Sequence, residues 1–163
     1  MTKIGLLSDT HGSLPAKTFG FFKDCDQIWH AGDFGDIKII EQLQASKPVK
    51  AVFGNIDGTE ARALFKETLV FKVEDVKVVM MHIGGYPGRY SWQARETIQK
   101  ERPGLFISGH SHILKVMYDK KHKLLHINPG AAGKFGLHQK ITLVRFAIDG
   151  DEIKDLEIFE KER

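Results

Sequence analysis

Ile4-Gly5-Leu6-Leu7-Ser8-Asp9-Thr10-His11-Gly12 passes from an apolar run to a carboxylate and an imidazole, and then to glycine. The apolar run reads as a buried strand. If the chain stays extended past it, Asp9 and His11 turn toward one point, and Gly12 lets the backbone bend away. The same transition recurs along the chain. Gln27-Ile28-Trp29-His30 leads into Gly32-Asp33-Phe34-Gly35-Asp36, and Val49 to Phe53 leads into Gly54-Asn55-Ile56-Asp57. Val76 to Met81 ends at His82, and Leu105-Phe106-Ile107 ends at Gly109-His110-Ser111-His112. Strand ends followed by loops are where an open α/β sheet gathers its ligand-binding groups.

Between these strands lie helix signals. We expect helices over Leu14 to Phe22, Asp36 to Gln44, Thr59 to Phe65 (capped by Thr59) and Ser91 to Lys100. Later strands are expected at Leu69 to Val73, Leu114 to Tyr118, Lys123 to Ile127, Ile141 to Ile148 and Glu152 to Phe159. Glu74-Asp75 and Asp149-Gly150 read as hairpin turns. The first half is therefore β-α, and the second is rich in strands.

Composition excludes several classes. At 163 residues, with 42% hydrophobic and 28% charged side chains, we expect a single domain over residues 1–163. A net charge of +3, with acids and bases interspersed, gives no nucleic-acid track and no membrane-binding face. The single Cys25 excludes a disulfide framework and a thiolate cluster, and reads as a small buried hydrophobe. The N-terminal apolar run is too short for a signal peptide, and no stretch approaches the ~18 apolar residues of a membrane span. The expected location is the cytoplasm.

Each short motif alone is open to a plainer reading. Asp-x-His is weak evidence, Asn55 suits an ordinary turn, and His110-Ser111-His112 is the most metal-like element. Five strand ends that all carry oxygen or nitrogen donors are hard to explain by turn chemistry. Asp9-Thr10-His11, Gly32-Asp33, Gly54-Asn55, the lone His82 and Gly109-His110-Ser111-His112 resemble, in order, the signature of the calcineurin-like metallophosphoesterases. Length and Asn128-Pro129-Gly130-Ala131 narrow the resemblance to the small, single-domain phosphodiesterases of bacteria and archaea.

That resemblance implies an α/β fold, a four-layer αββα sandwich of two mixed sheets flanked by helices. It implies that Asp9, His11 and His112 bind one divalent metal ion and that Asn55, His82 and His110 bind another. Asp33 would bridge the pair, and Asp33, Asn55 and His82 would stand among the catalytic groups. Manganese is the expected metal, with iron, zinc, cobalt or nickel open. Two carboxylates against two divalent ions leave about two positive charges to face a phosphate. The implied reaction is hydrolysis of a small phosphoester by in-line attack of a hydroxide bridging the metals.

Other residues are weighed beside these. Asp36 is expected as a helix cap or a support for the ligands, and Asp57 as a retained family position. Ile56 stands where many larger relatives place a histidine that protonates the leaving oxygen. Arg89, in the glycine-rich loop after His82, is a candidate for a phosphate oxygen, and His138 is a candidate proton donor. His30 and His126 read as packed histidines, and His122 as a solvated turn residue. Homo-oligomerisation is possible by family analogy. The rival reading is a non-catalytic protein-binding scaffold of the same fold, like the retromer subunit, against which the intact donor set argues.

Overall fold

The computed structural model describes residues 1–163. In chain order its first half holds β1 (Thr2–Leu7), α1 (Thr18–Phe21), β2 (Gln27–His30), α2 (Ile37–Ser46), β3 (Val49–Ala51) and α3 (Thr59–Leu64). Then come β4 (Thr68–Val73), β5 (Val76–Met81), β6 (Gly85–Tyr86), β7 (Arg89–Tyr90) and α4 (Trp92–Glu101). The chain closes with β8 (Leu105–Ile107), β9 (Leu114–Asp119), β10 (Leu124–Pro129), β11 (Lys140–Asp149) and β12 (Glu152–Glu162).

Two five-stranded mixed sheets form, in the orders β12-β11-β1-β2-β3 and β4-β5-β8-β10-β9. β1, β2 and β3 run parallel in the first sheet, and β5, β8 and β10 run parallel in the second. Strand alternation divides the apolar residues between the faces. Ile4, Leu6, Trp29, Val78, Met80, Ile107 and Phe146 meet in the core between the sheets. Leu7, Ile28 and Leu143 face outward to Phe22, Ile39, Ile40 and Leu43. On the far side Val79, Met81 and Phe106 pack under Tyr90, Ala94 and Ile98. Three cores separated by two sheets give the expected helix-sheet-sheet-helix layering.

Several boundaries differ from expectation. The helix expected from Leu14 covers only Thr18–Phe21. The Pro15 carbonyl accepts from both the Thr18 N–H (3.0 Å) and its hydroxyl (2.7 Å), which closes a turn where the helix would have begun. Thr59 is the first residue of α3 rather than its cap; Gly58 holds that position without a side-chain bond. Asp36 does cap α2, accepting from the Lys38 N–H at 2.9 Å. The short β6–β7 hairpin was not anticipated, because two-residue strands have no periodicity to read. His122 is not a free turn residue: its Nδ1 lies 2.8 Å from the Asp119 carboxylate, and its ring rests against Tyr90.

The consequence for function is directional. β1, β2, β3, β5 and β8 all point their carboxyl ends the same way, so the loops carrying the five motifs meet at one rim of the sandwich.

Candidate metal centre

At that rim the seven expected donors converge. Ligand atoms of Asp9, His11 and His112 all lie within 4.8 Å of one another, and so do those of Asp33, His82 and His110. His112 Nε2 is 3.2 Å from Asp9 Oδ1, and His82 Nε2 is 3.1 Å from Asp33 Oδ2. Asn55 Oδ1 lies 3.0 Å from His110 Nδ1, which places it beside the second set. Asp33 Oδ2 is also 3.5 Å from His11 Nε2, so one oxygen faces both sets.

The loops do not stay extended, as the alternation argument required. Asp9, His11, Asp33, His110 and His112 all adopt positive φ, between 45° and 70°. Such backbone costs of order 1–3 kcal/mol per non-glycine residue and persists only where the surroundings impose it. Five of the seven donors share it, and it turns side chains from successive strand ends inward.

Each carboxylate is half committed to protein. Asp9 Oδ2 accepts from the Ser8 hydroxyl (2.7 Å) and the His110 N–H (3.0 Å), while its Oδ1 is buried without a hydrogen-bond partner. Asp33 Oδ1 accepts from the Ile56 N–H at 3.1 Å, which leaves Oδ2 for the centre. His11 Nε2 and His82 Nε2 are likewise buried with no partner in hydrogen-bond alignment. Orphaned buried polar atoms are costly, and three of them aimed at one point are what a cation site leaves exposed. The donor set of imidazoles, carboxylates and one amide fits a divalent transition metal.

Hydrogen bonds fix the imidazole tautomers. The Ala31 carbonyl can only accept, so His82 Nδ1, 2.7 Å away, carries the proton and Nε2 keeps its lone pair. The Gly133 carbonyl does the same for His138 Nε2 at 2.8 Å. His138 Nδ1 is then an acceptor for His112 Nδ1–H at 3.0 Å, which frees His112 Nε2. Both nitrogens of His138 are thereby used, and its place is behind His112 rather than at a leaving group. His30 is fully buried, accepts from the Gly32 N–H and donates to the Thr10 hydroxyl, which donates to the Phe34 carbonyl. Burial drives its pKa down to about 3, so it stays neutral and ties the Asp9 and Asp33 loops together.

Charge is balanced locally. Burial works against ionised Asp9 and Asp33, but the neighbouring imidazoles outweigh it, and both pKa values lie below the ordinary carboxylate value. For His82, burial opposes the charged ring, yet Asp33 and Asp9 prevail and its pKa lies above the usual imidazole value. Without metal, a proton is the cation these donors attract.

The remaining expected residues are placed as follows. Asp57 accepts from the Gly35 N–H (3.2 Å) and the Gly54 N–H (2.8 Å), pinning the Asp33 loop to the Asn55 loop. Ile56 is 46% exposed beside the centre, with no titratable side chain in its place. Arg89 lies on β7, next to the centre but outside the cluster of donors. Sequence reasoning missed Ser8 and Thr10, and for Asn128, whose segment it singles out, it missed the part played by the side chain. Asn128 Nδ2 donates to the Gly109 carbonyl (3.0 Å) and Ser111 Oγ (3.1 Å), holding the loop between His110 and His112. The available signal was a polar residue ending a buried apolar run.

The model of the calcineurin-like phosphoesterase superfamily domain matches residues 2–151. A probable metallophosphoesterase of Methanothermobacter thermautotrophicus is 30% identical, over 95% of this chain and 90% of its own length. A phosphodiesterase of Methanocaldococcus jannaschii is 25% identical, over 78% of this chain and 82% of its own. Among solved structures, Vps29 of Entamoeba histolytica complexed with zinc superposes with a TM-score of 0.75 at 16% identity, covering 98% of each chain, a likeness of fold. The chain belongs to the calcineurin-like phosphoesterase superfamily.

Proposed function

We propose that this protein is a phosphodiesterase that uses two divalent metal ions, with Asp9, His11 and His112 holding one, Asn55, His82 and His110 the other, and Asp33 both. The observation that carries this reading is the set of buried, unpartnered Asp9 Oδ1, His11 Nε2 and His82 Nε2 around Asp33 Oδ2. Bound there, a cation pair supplies positive charge to a phosphate and acidifies a water for in-line attack at phosphorus. The mixed oxygen and nitrogen set admits manganese, iron, zinc, cobalt or nickel, and manganese is the metal we favour from the family resemblance.

The protein's own part is positional. The Ala31 carbonyl and His138 aim two imidazoles, the Ile56 N–H and Ser8 aim two carboxylates, and Asp57 keeps two loops in register. Ile56 itself offers no proton to a leaving oxygen, so esters with good leaving groups are favoured unless water or another side chain supplies it. The test is hydrolysis of bis(4-nitrophenyl) phosphate by purified protein with manganese, beside Asp33→Ala and His110→Ala. Activity in the parent that drops at least about 100-fold in both variants supports the reading. Absence of hydrolysis under every metal favours the rival scaffold role.

A further inference from the structure

Beside the metal centre, under the β6–β7 hairpin, lies a second cavity of about 270 Å³. It shares His110 and Ser111 with the donor loops, then runs between the hairpin and the ends of β9 and β10. Its walls carry two cations, Arg89 from β7 and Lys115 from β9, and no acidic side chain lines it. Lys115 Nζ sits 4.0 Å from the centre of the Tyr86 ring, held at the wall by the aromatic face instead of a carboxylate. Two cations without an acid, beside a site for a phosphate, set up a local positive field.

His126 on β10 also lines the cavity and is fully buried. Its Nδ1 lies 3.2 Å from the Phe106 carbonyl, which only accepts, so Nδ1 carries the hydrogen. Nε2 is then a lone-pair acceptor, buried and unpartnered. Burial lowers the pKa of this ring to about 4, so it is neutral near pH 7. Because the ring has no surface open to solvent, it forms a neutral back wall of the cavity and adds no charge beside the two cations. The hairpin roof is fixed in place: Ser108 Oγ donates to the Gly85 carbonyl at 3.0 Å, and the Ser91 N–H donates to the Gly84 carbonyl at 2.9 Å.

We propose that this cavity is a substrate subsite that takes a second anionic group of the phosphoester, paired with Arg89 and Lys115. It rests on the phosphoesterase reading in assigning the first phosphate to the metal donors. The substrate class is thereby narrowed to phosphoesters that bear another negative group, as a nucleoside bisphosphate does. A plain dialkyl or diaryl phosphate fills only the metal side.

Calorimetric titration of the metal-loaded protein with thymidine 3′,5′-bisphosphate and thymidine 5′-monophosphate tests this. The second phosphate is expected to tighten binding about tenfold or more, as charge-assisted hydrogen bonds to two cations warrant. That gain should vanish in Arg89→Ala/Lys115→Ala and persist in Arg89→Lys/Lys115→Arg, which keeps both charges. It should also shrink as salt is raised in the parent, a readout that needs no variant to fold. Equal affinity of the parent for both nucleotides, or a gain that survives in the double alanine variant, overturns the subsite. Failure to hydrolyse any diester strikes the phosphoesterase reading alone, since the affinity difference is measured without turnover.

Discussion

A single imidazole shows how proton and metal compete at this centre. His82 has a raised pKa while only Asp33 and Asp9 face it, so a proton competes with a metal ion for its Nε2. Metal affinity is therefore expected to rise with pH from 6.5 upward, through that raised value. Manganese titrations in buffers of different ionisation enthalpy should reveal net proton release at pH 7, and a heat independent of buffer would contradict this. His138 offers a second residue-level test, because it acts only through His112. His138→Ala should weaken metal binding by about 10–100-fold, with thermal stability of the metal-free protein little changed. Unaltered metal affinity would sink the tautomer argument. Of these two residues, His82 was legible in the sequence because it ends an apolar run, whereas the role of His138 was not. Its contact with His112 spans two loops and depends on the Gly133 carbonyl, which no sequence spacing reveals.

Strands and the loops that leave them carry the next level of argument. The five strand-to-motif transitions were readable because a buried strand must be apolar and its exit must not be. The positive φ of the donors was not readable, since aspartate and histidine do not announce it as glycine does. The register of loop against loop depends on close approach. A Cβ on Gly54 would collide with the Asp33 carboxylate. Gly54→Ala is thus expected to abolish tight metal binding while circular dichroism shows the same strand content; retained metal affinity would show that Asp33 can move. By contrast, a Cβ on Gly5 of β1 would meet the Phe22 ring at 2.7 Å, far from the donors. Gly5→Ala should cost about 1–3 kcal/mol in urea unfolding, and a stability equal to the parent would contradict that packing. Helix α1 was overestimated for a related reason: Pro15 and Thr18 close a turn whose hydrogen bonds compete with helix initiation.

Across the whole molecule, two sheets with parallel strands aligned place chemistry at one rim and packing everywhere else. Layer order was expected from the family resemblance, with which the β-α first half and strand-rich second half agree, while the pairing of β11 between β1 and β12 required the folded chain. No helix is long and apolar enough to cross a membrane. Stability of the metal-free protein should carry the mark of its buried neutral rings. His30 and His126 have folded pKa values of about 3 and about 4, below the 6.5 of the unfolded chain. Their contribution is complete above pH 6.5 and is lost as pH falls toward those values. His126→Phe, which preserves the stack on Phe106, should reduce the acid-induced loss between pH 6.5 and 4 by up to about 3 kcal/mol. Identical slopes of urea midpoint against pH would contradict this. The central claim is that the rim binds two cations together, and anomalous diffraction from crystals loaded with manganese tests it most directly. The account predicts two peaks about 3.5–4 Å apart, one beside Asp9, His11 and His112, the other beside Asn55, His82 and His110, with Asp33 touching both. A single peak, or peaks that do not share Asp33, would contradict it.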